Sequence, residues 1–195
     1  MNKNISQILE QISKLEEKLE KEIKIESKKF NFDFQGKKVC FNKKSIDNQK
    51  KHLENLFSYI KNAPILYILS APIIYSLIIP AIILDITVLI YQSINFRIYK
   101  IEPVKREEYI VFDRIYLAYL NPIEKLNCLY CSYFNGLIAY VSEIAARTEL
   151  FWCPIKHAKN IAYRHSKYNH FFSYGDAKKF KEELKSLREQ LKEMK

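Results

Sequence analysis

The sequence predicts a mainly α fold around one membrane-embedded element, a kinked helix or a helical hairpin, with helical soluble flanks and one small β-hairpin. Three observations carry this. Ala63 to Phe96 is apolar almost throughout, with Asp85 its one ionisable group and Lys61 and Arg97 just outside. A stretch of that length favours a membrane segment over the central helix of a soluble bundle. Both chain ends carry apolar residues at heptad-like spacing. Between Phe30 and Phe41, apolar and polar residues alternate about a short turn signal. The expected organisation is an N-terminal region over residues 1–62, a membrane segment over 63–96, a Cys/His-containing helical region over 97–175 and an amphipathic, coiled-coil-like helix over 176–195.

From Asn4 to about Ile25, Ile5, Ile12 and Leu19 repeat every seven residues with Ile8 and Leu15 between them, the stripe of a packing helix. Glu17 with Lys21 and Glu20 with Lys24 stand in the favourable i,i+4 order. Phe30, Phe32 and Phe34, then Val39 and Phe41, predict two short strands joined at Gln35-Gly36-Lys37. A lone hairpin is marginal in water, so its Phe face needs a support. Cys40 falls on the face opposite Val39 and reads as an ordinary half-buried thiol. Ser45 or Asp47 caps a helix carrying Leu53, Leu56, Phe57 and Ile60, interrupted at Asn62-Ala63-Pro64.

Within the apolar stretch, Pro72 and Pro80 each remove a helix hydrogen bond and favour a kink. The flanks are evenly basic: Lys43, Lys44, Lys50, Lys51 and Lys61 upstream, Arg97, Lys100, Lys105, Arg106 and Arg114 downstream. A single span would set one basic flank outside, against the positive-inside rule. A hairpin bent near Pro80 keeps both on the cytoplasmic side, and is slightly favoured. Asp85 is then a cap at the bend or a polar group facing protein.

Downstream, Asn121-Pro122 signals a helix start, Asn as N-cap and Pro at the first helical position. Ile123, Leu126, Tyr130, Phe134, Leu137, Ile138 and Val141 continue it at helical spacing, and Pro154 ends it. Asp176 caps a last helix whose Phe180, Leu184, Leu187, Leu191 and Met194 form an apolar seam. The two terminal helices pair with each other or build a homo-oligomer.

The formal charge of +10 suits an anionic membrane surface, and no nucleic-acid motif lifts that class of partner above it. The charged first thirty residues read as a helix rather than a secretory signal. Cys40, Cys128, Cys131 and Cys153 therefore belong to a reducing compartment, where clustered thiols serve metal or redox chemistry more often than disulfides. Phosphate-cradling, serine-hydrolase, zincin and dinucleotide motifs are all missing from the sequence.

The constellation with chemical content is Cys128-x-x-Cys131 followed by Cys153 and His157, three thiolates and an imidazole suited to tetrahedral zinc, alternatively to an iron–sulfur cluster. One continuous helix from Pro122 to Trp152 would hold Cys128 and Cys153 ~37 Å apart, so a shared metal needs a break, and Asn135-Gly136 is the turn signal available for one. The competing readings are cysteines packed as small apolar groups and a redox dithiol. Glu143 and Arg147 read as a surface ion pair. His165 and His170 read as loop residues.

The run NCLYCSYFNGLIAYVSEIAARTELFWCPIKHA, with FDRIYLAYLNPIEKL before it and YGDAKKF after it, resembles a family of small uncharacterised bacterial membrane-associated proteins. The similarity covers about Pro80 to Phe180, with the Cys-x-x-Cys … Cys-Pro-x-x-His run its most specific part. The resemblance implies no activity, and makes the cysteines read as a signature, which favours metal.

The expected function is thus a membrane-associated protein with a structural zinc held by Cys128, Cys131, Cys153 and His157. The alternatives are a membrane-anchored redox protein and a non-catalytic adaptor with coiled-coil ends. The expected place is the bacterial inner membrane, with the C-terminal region facing the cytoplasm.

Overall fold

The computed structural model describes residues 3–29, 32–35 and 38–193. Phe30, Gly36, Lys37 and Met194 lie outside these, as do the side chains of Ile5, Ile8 and Phe34. The protein is mainly helical and divides into two compact units, Met1–Asn62 with Asp113–Lys125, and Ala63–Phe112 with Leu126–Lys195.

In the first unit, α1 (Lys3–Lys28) presents Ile12, Leu15, Leu19 and Ile25 to the outside. Strands β1 (Phe32–Gln35) and β2 (Lys38–Phe41) pair antiparallel, Phe32 opposite Phe41 and Asp33 opposite Cys40. The Phe32 and Phe41 rings meet at 5.8 Å, and β2 packs on the 3-10 turn Asp113–Tyr116, the support the hairpin needs. Helix α2 (Lys43–Lys50) is capped by Asn42, whose side chain accepts from the Ser45 amide at 2.8 Å; Ser45 and Asp47 lie inside the helix. The lead-in is not one helix. It breaks after α2 and restarts as α3 (Leu56–Asn62), with Asn55 Oδ1 accepting from the Phe57 amide at 2.9 Å. Gln49 Oε1 takes the Ala118 amide at 2.8 Å and ties α2 to the later segment.

The second unit begins with α4 (Ile65–Ser76) and α5 (Ile78–Tyr91), which run on through a π turn at Gln92–Phe96 into the short α6 (Arg97–Tyr99). The whole run from Ile65 to Tyr99 is helical, long and apolar enough to cross a membrane. It does not fold back at Pro80. Leu77, three residues earlier, marks an irregularity between α4 and α5, but its backbone stays right-handed at φ −65°, ψ −13°, and the Ala81 amide reaches its carbonyl at 3.2 Å. Proline forfeits one bond, and the bonds on either side suffice to carry the helix forward. The run ends in a Schellman motif: Ile101 N–H to Phe96 O at 2.9 Å and Lys100 N–H to Arg97 O at 3.3 Å, with Lys100 left-handed at φ 58°.

Helix α7 (Pro122–Trp152) opens on the N-cap the sequence predicts, completed by Glu124 into a capping box: Asn121 Oδ1 accepts from the Glu124 amide at 3.0 Å, and Glu124 Oε2 accepts from the Asn121 amide at 2.9 Å. It runs unbroken to Trp152, so Asn135-Gly136 is not a turn. Gly136 is buried in the helix because a Cβ there would lie 2.5 Å from the Tyr109 carbonyl oxygen and 2.9 Å from the Ile110 Cα. Glycine lets a second backbone approach, which is its other structural use.

In the second unit, α7 lies alongside the α4–α6 run and points the same way. Tyr75 bonds Asn127, Tyr130 bonds the Ile74 carbonyl, Tyr133 bonds Asp85, Tyr140 bonds Gln92 and Thr148 bonds Tyr91. The sequence separation of these pairs stays between 48 and 57, as parallel neighbours require. Ala81, Asp85, Gln92 and Phe96 form the inward stripe; α4 has no buried residue. Helix α8 (Ala177–Glu193), capped by Asp176 Oδ1 on the Lys179 amide at 3.0 Å, sets Leu187 and Leu191 into the core with Leu137, Tyr140, Ile144 and Leu150. In α8 the apolar seam therefore packs into the core of the second unit.

Candidate functional site

The proposed metal ligands do not converge. Cys128 and Cys131 sit one turn apart on α7, the first half-buried and the second exposed. Cys153 follows the last residue of the same unbroken helix, its amide bonded to the Glu149 carbonyl at 2.8 Å. A rise of 1.5 Å per residue puts it ~37 Å from Cys128, too far to share a metal. His157 is held elsewhere for another purpose: its backbone N–H donates to Tyr168 Oη at 2.9 Å and its ring stacks on that of Tyr168 at 6.4 Å. Among the described residues no group of three or more His, Cys, Asp or Glu side chains is placed to hold a metal ion.

The Cys153–His157 stretch is instead a strap. Pro154 is fully buried. Its carbonyl accepts from the Phe172 amide at 2.8 Å, and the Phe172 carbonyl accepts from the Lys156 amide at 2.8 Å. Pro154 stops α7, and the freed backbone pairs with the later segment through the Ile155–Phe172 bridge.

What the fold does assemble is a buried polar seam between the Ile65–Tyr99 run, α7 and the segments beside them. Asp85 receives Arg106 Nη2 at 2.7 Å and Nε at 3.2 Å, and Tyr133 Oη at 3.0 Å. Its side chain is 9% exposed, that of Arg106 39%. Farther along, the Gln92 amide pairs with Val104 in both directions: Val104 N–H donates to Oε1 at 2.8 Å, and Nε2 donates to the Val104 carbonyl at 3.3 Å and to Tyr140 Oη at 3.0 Å. The glutamine thus replaces, for one residue of an irregular connection, the partner that a sheet would supply.

The third node centres on Glu143. It accepts from Ser166 Oγ at 2.6 Å and Arg147 Nε at 2.9 Å, with Lys167 Nζ at 3.7 Å. Arg147 also donates to the Glu102 carbonyl at 2.7 Å. Burial, the largest single influence, pushes the Glu143 carboxyl up; the hydrogen bonds and cations together outweigh it and hold the carboxyl below its ordinary value. The pair expected at the surface is therefore interior. Nearby, His165 Nδ1 accepts from the Lys167 amide at 3.2 Å, which leaves Nε2–H to face Glu149 Oε2 at 3.2 Å. Both ring nitrogens are committed.

Each of these carboxylates faces a donor or cation, so the seam clamps. It fixes the 100–112 connection and the 165–168 turn onto α7. In the sequence Arg106 reads only as part of the basic flank, and Gln92 has no assigned role. The available signal was an amide inside an apolar helix, a group that must find a partner when buried.

No protein-family model, no curated protein and no solved structure matches this chain.

Proposed function

We propose that this chain is a membrane-associated, non-catalytic scaffold, with the Ile65–Tyr99 run seated in lipid and the α7–α8 region held against it by the polar seam. The observation that carries this reading is the exposure of the apolar run. Only 11% of its most apolar window is buried inside the protein, with Ile65, Ile73 and Ile83 exposed to 67%, 71% and 60%. The central helix of a soluble bundle hides such side chains, and an exposed apolar surface of this extent marks a membrane or partner contact. The hydrogen-bonded carboxylates of the seam support a holding role over a catalytic one. The basic flanks suit the anionic cytoplasmic leaflet of the bacterial inner membrane, with the C-terminal region in the cytoplasm.

Flotation of the purified chain with lipid vesicles tests the proposal. The chain is expected to float with vesicles containing anionic lipid, less so as salt rises, and to float less with neutral ones. A chain that stays monodisperse in detergent-free buffer and remains at the bottom of the gradient overturns it.

A further inference from the structure

Resting on that membrane reading, we infer that the chain is monotopic: the Ile65–Tyr99 run enters one face of an anionic bilayer without crossing it, and both basic flanks stay on the same side.

The argument is topological. The Ile65–Tyr99 run and α7 are parallel neighbours, level with each other from Tyr75 and Asn127 to Tyr99 and Phe151, whose rings stack at 4.8 Å. Two consecutive parallel helices need a connection that returns along their length. Here residues 100–112 make that return, and they carry Lys100, Glu102, Lys105, Arg106, Glu107 and Glu108. A spanning arrangement would draw this segment through the hydrocarbon with the helices. Irregular backbone facing lipid is not tolerated there, and exposed charges are strongly disfavoured.

The charges of the connection lie beside the apolar run itself. Val104 is level with Gln92, and Arg106 with Asp85. At that level the Lys105–Glu108 ion pair has side chains 64% and 61% exposed. One side of α5 is therefore covered by protein that carries exposed charges, while the other presents Ile79, Ile82, Ile83, Ile86 and Ile90. Helix α4 has no buried residue and exposes Ile65, Leu66, Leu69 and Ile73. A helix backed along one side by protein with exposed charges and apolar along the other suits the interface, where apolar faces sink about 5–10 Å below the headgroups. Basic residues at both ends, Lys61 before and Arg97 and Lys100 after, meet the same anionic surface, which removes the conflict that a single span has with the positive-inside rule.

The test reads the side on which each flank lies. Ser13→Cys in α1 and Ser186→Cys in α8, both exposed positions, are placed singly in a chain whose native cysteines are serine. A membrane-impermeant maleimide is then applied to inside-out and right-side-out membrane vesicles of expressing bacteria. Both cysteines are expected to react in the inside-out vesicles and neither in the others. Trypsin added to the same vesicles carrying the unaltered chain, read with antibodies to each end, should remove both ends from one side. Should the cysteine-free chain misfold, that arm decides alone. Opposite labelling or digestion of the two ends in membrane-bound chain overturns the monotopic inference while leaving membrane association standing. A chain recovered wholly in the soluble fraction overturns both.

Discussion

Gly136→Ala separates the packing account of α7 from simple helix propensity, because the two predict opposite signs. In an unencumbered helix interior the change is favourable by about 1 kcal/mol. At position 136 the new Cβ would stand 2.5 Å from the Tyr109 oxygen and 2.9 Å from the Ile110 Cα. Both are backbone atoms and cannot rotate aside. Overpacking of this kind costs about 1–3 kcal/mol, which cancels the propensity gain and leaves a net loss of up to about 2 kcal/mol. For a chain of this size that is a fall in Tm of about 2–4 °C per kcal/mol. The assay is thermal unfolding in detergent followed by far-ultraviolet circular dichroism. Exposed Ala145→Gly in the same helix serves as control, expected to lose about 1 kcal/mol from propensity alone. A Gly136→Ala protein more stable than wild type would refute the close approach of the 109–110 segment.

Three further outcomes follow from the seam and the thiols. Asp85→Ala strips Arg106 and Tyr133 of their shared acceptor and should cost about 2 kcal/mol; Arg106 is partly solvated, which keeps the loss at the lower end for broken ion pairs. Because the folded-state carboxyl of Glu143 lies below its unfolded value near 4.5, its contribution is full above that value and is lost as pH falls through the lowered one. Glu143→Gln should therefore differ most from wild type at neutral pH and converge with it as pH falls through the lowered carboxyl value in denaturation series. Protein purified without a histidine tag should hold less than one zinc per chain by elemental analysis. Stoichiometric zinc lost together in Cys128→Ser and Cys153→Ser would show that the two ends of α7 meet after all.

Local signals read well from this sequence where one residue type answers one geometric need. Asn121 with Glu124, Asp176 before α8, and Pro154 at the end of α7 each act where their chemistry predicts. The Phe32–Phe41 pairing does too. The errors arise where a residue has two uses and only tertiary contact chooses. Pro80 is permitted in a helix that neighbouring bonds sustain, so the hairpin does not form. Gly136 suits a turn or a close approach, and the backbone at Tyr109 and Ile110 decides for the second. Cys128, Cys131, Cys153 and His157 have metal-ligand types and a half-site spacing, but a rigid helix between them sets the distance. Arg106 meets Asp85 across a separation of 21 residues through an irregular connection, which no periodicity reports.

The central claim is that the apolar run sits in lipid, and depth-dependent fluorescence quenching reads this directly. Trp152 is the protein's one tryptophan, and it lies beside Tyr99 and Phe151 at the end of α7. Ile73→Trp combined with Trp152→Phe moves that reporter into α4, at a position 71% exposed in the protein. With vesicles of anionic brominated lipid, the tryptophan at position 73 should be strongly quenched and blue-shifted, and Trp152 of the unaltered chain only weakly. Emission at position 73 that stays water-like and unquenched would contradict the account.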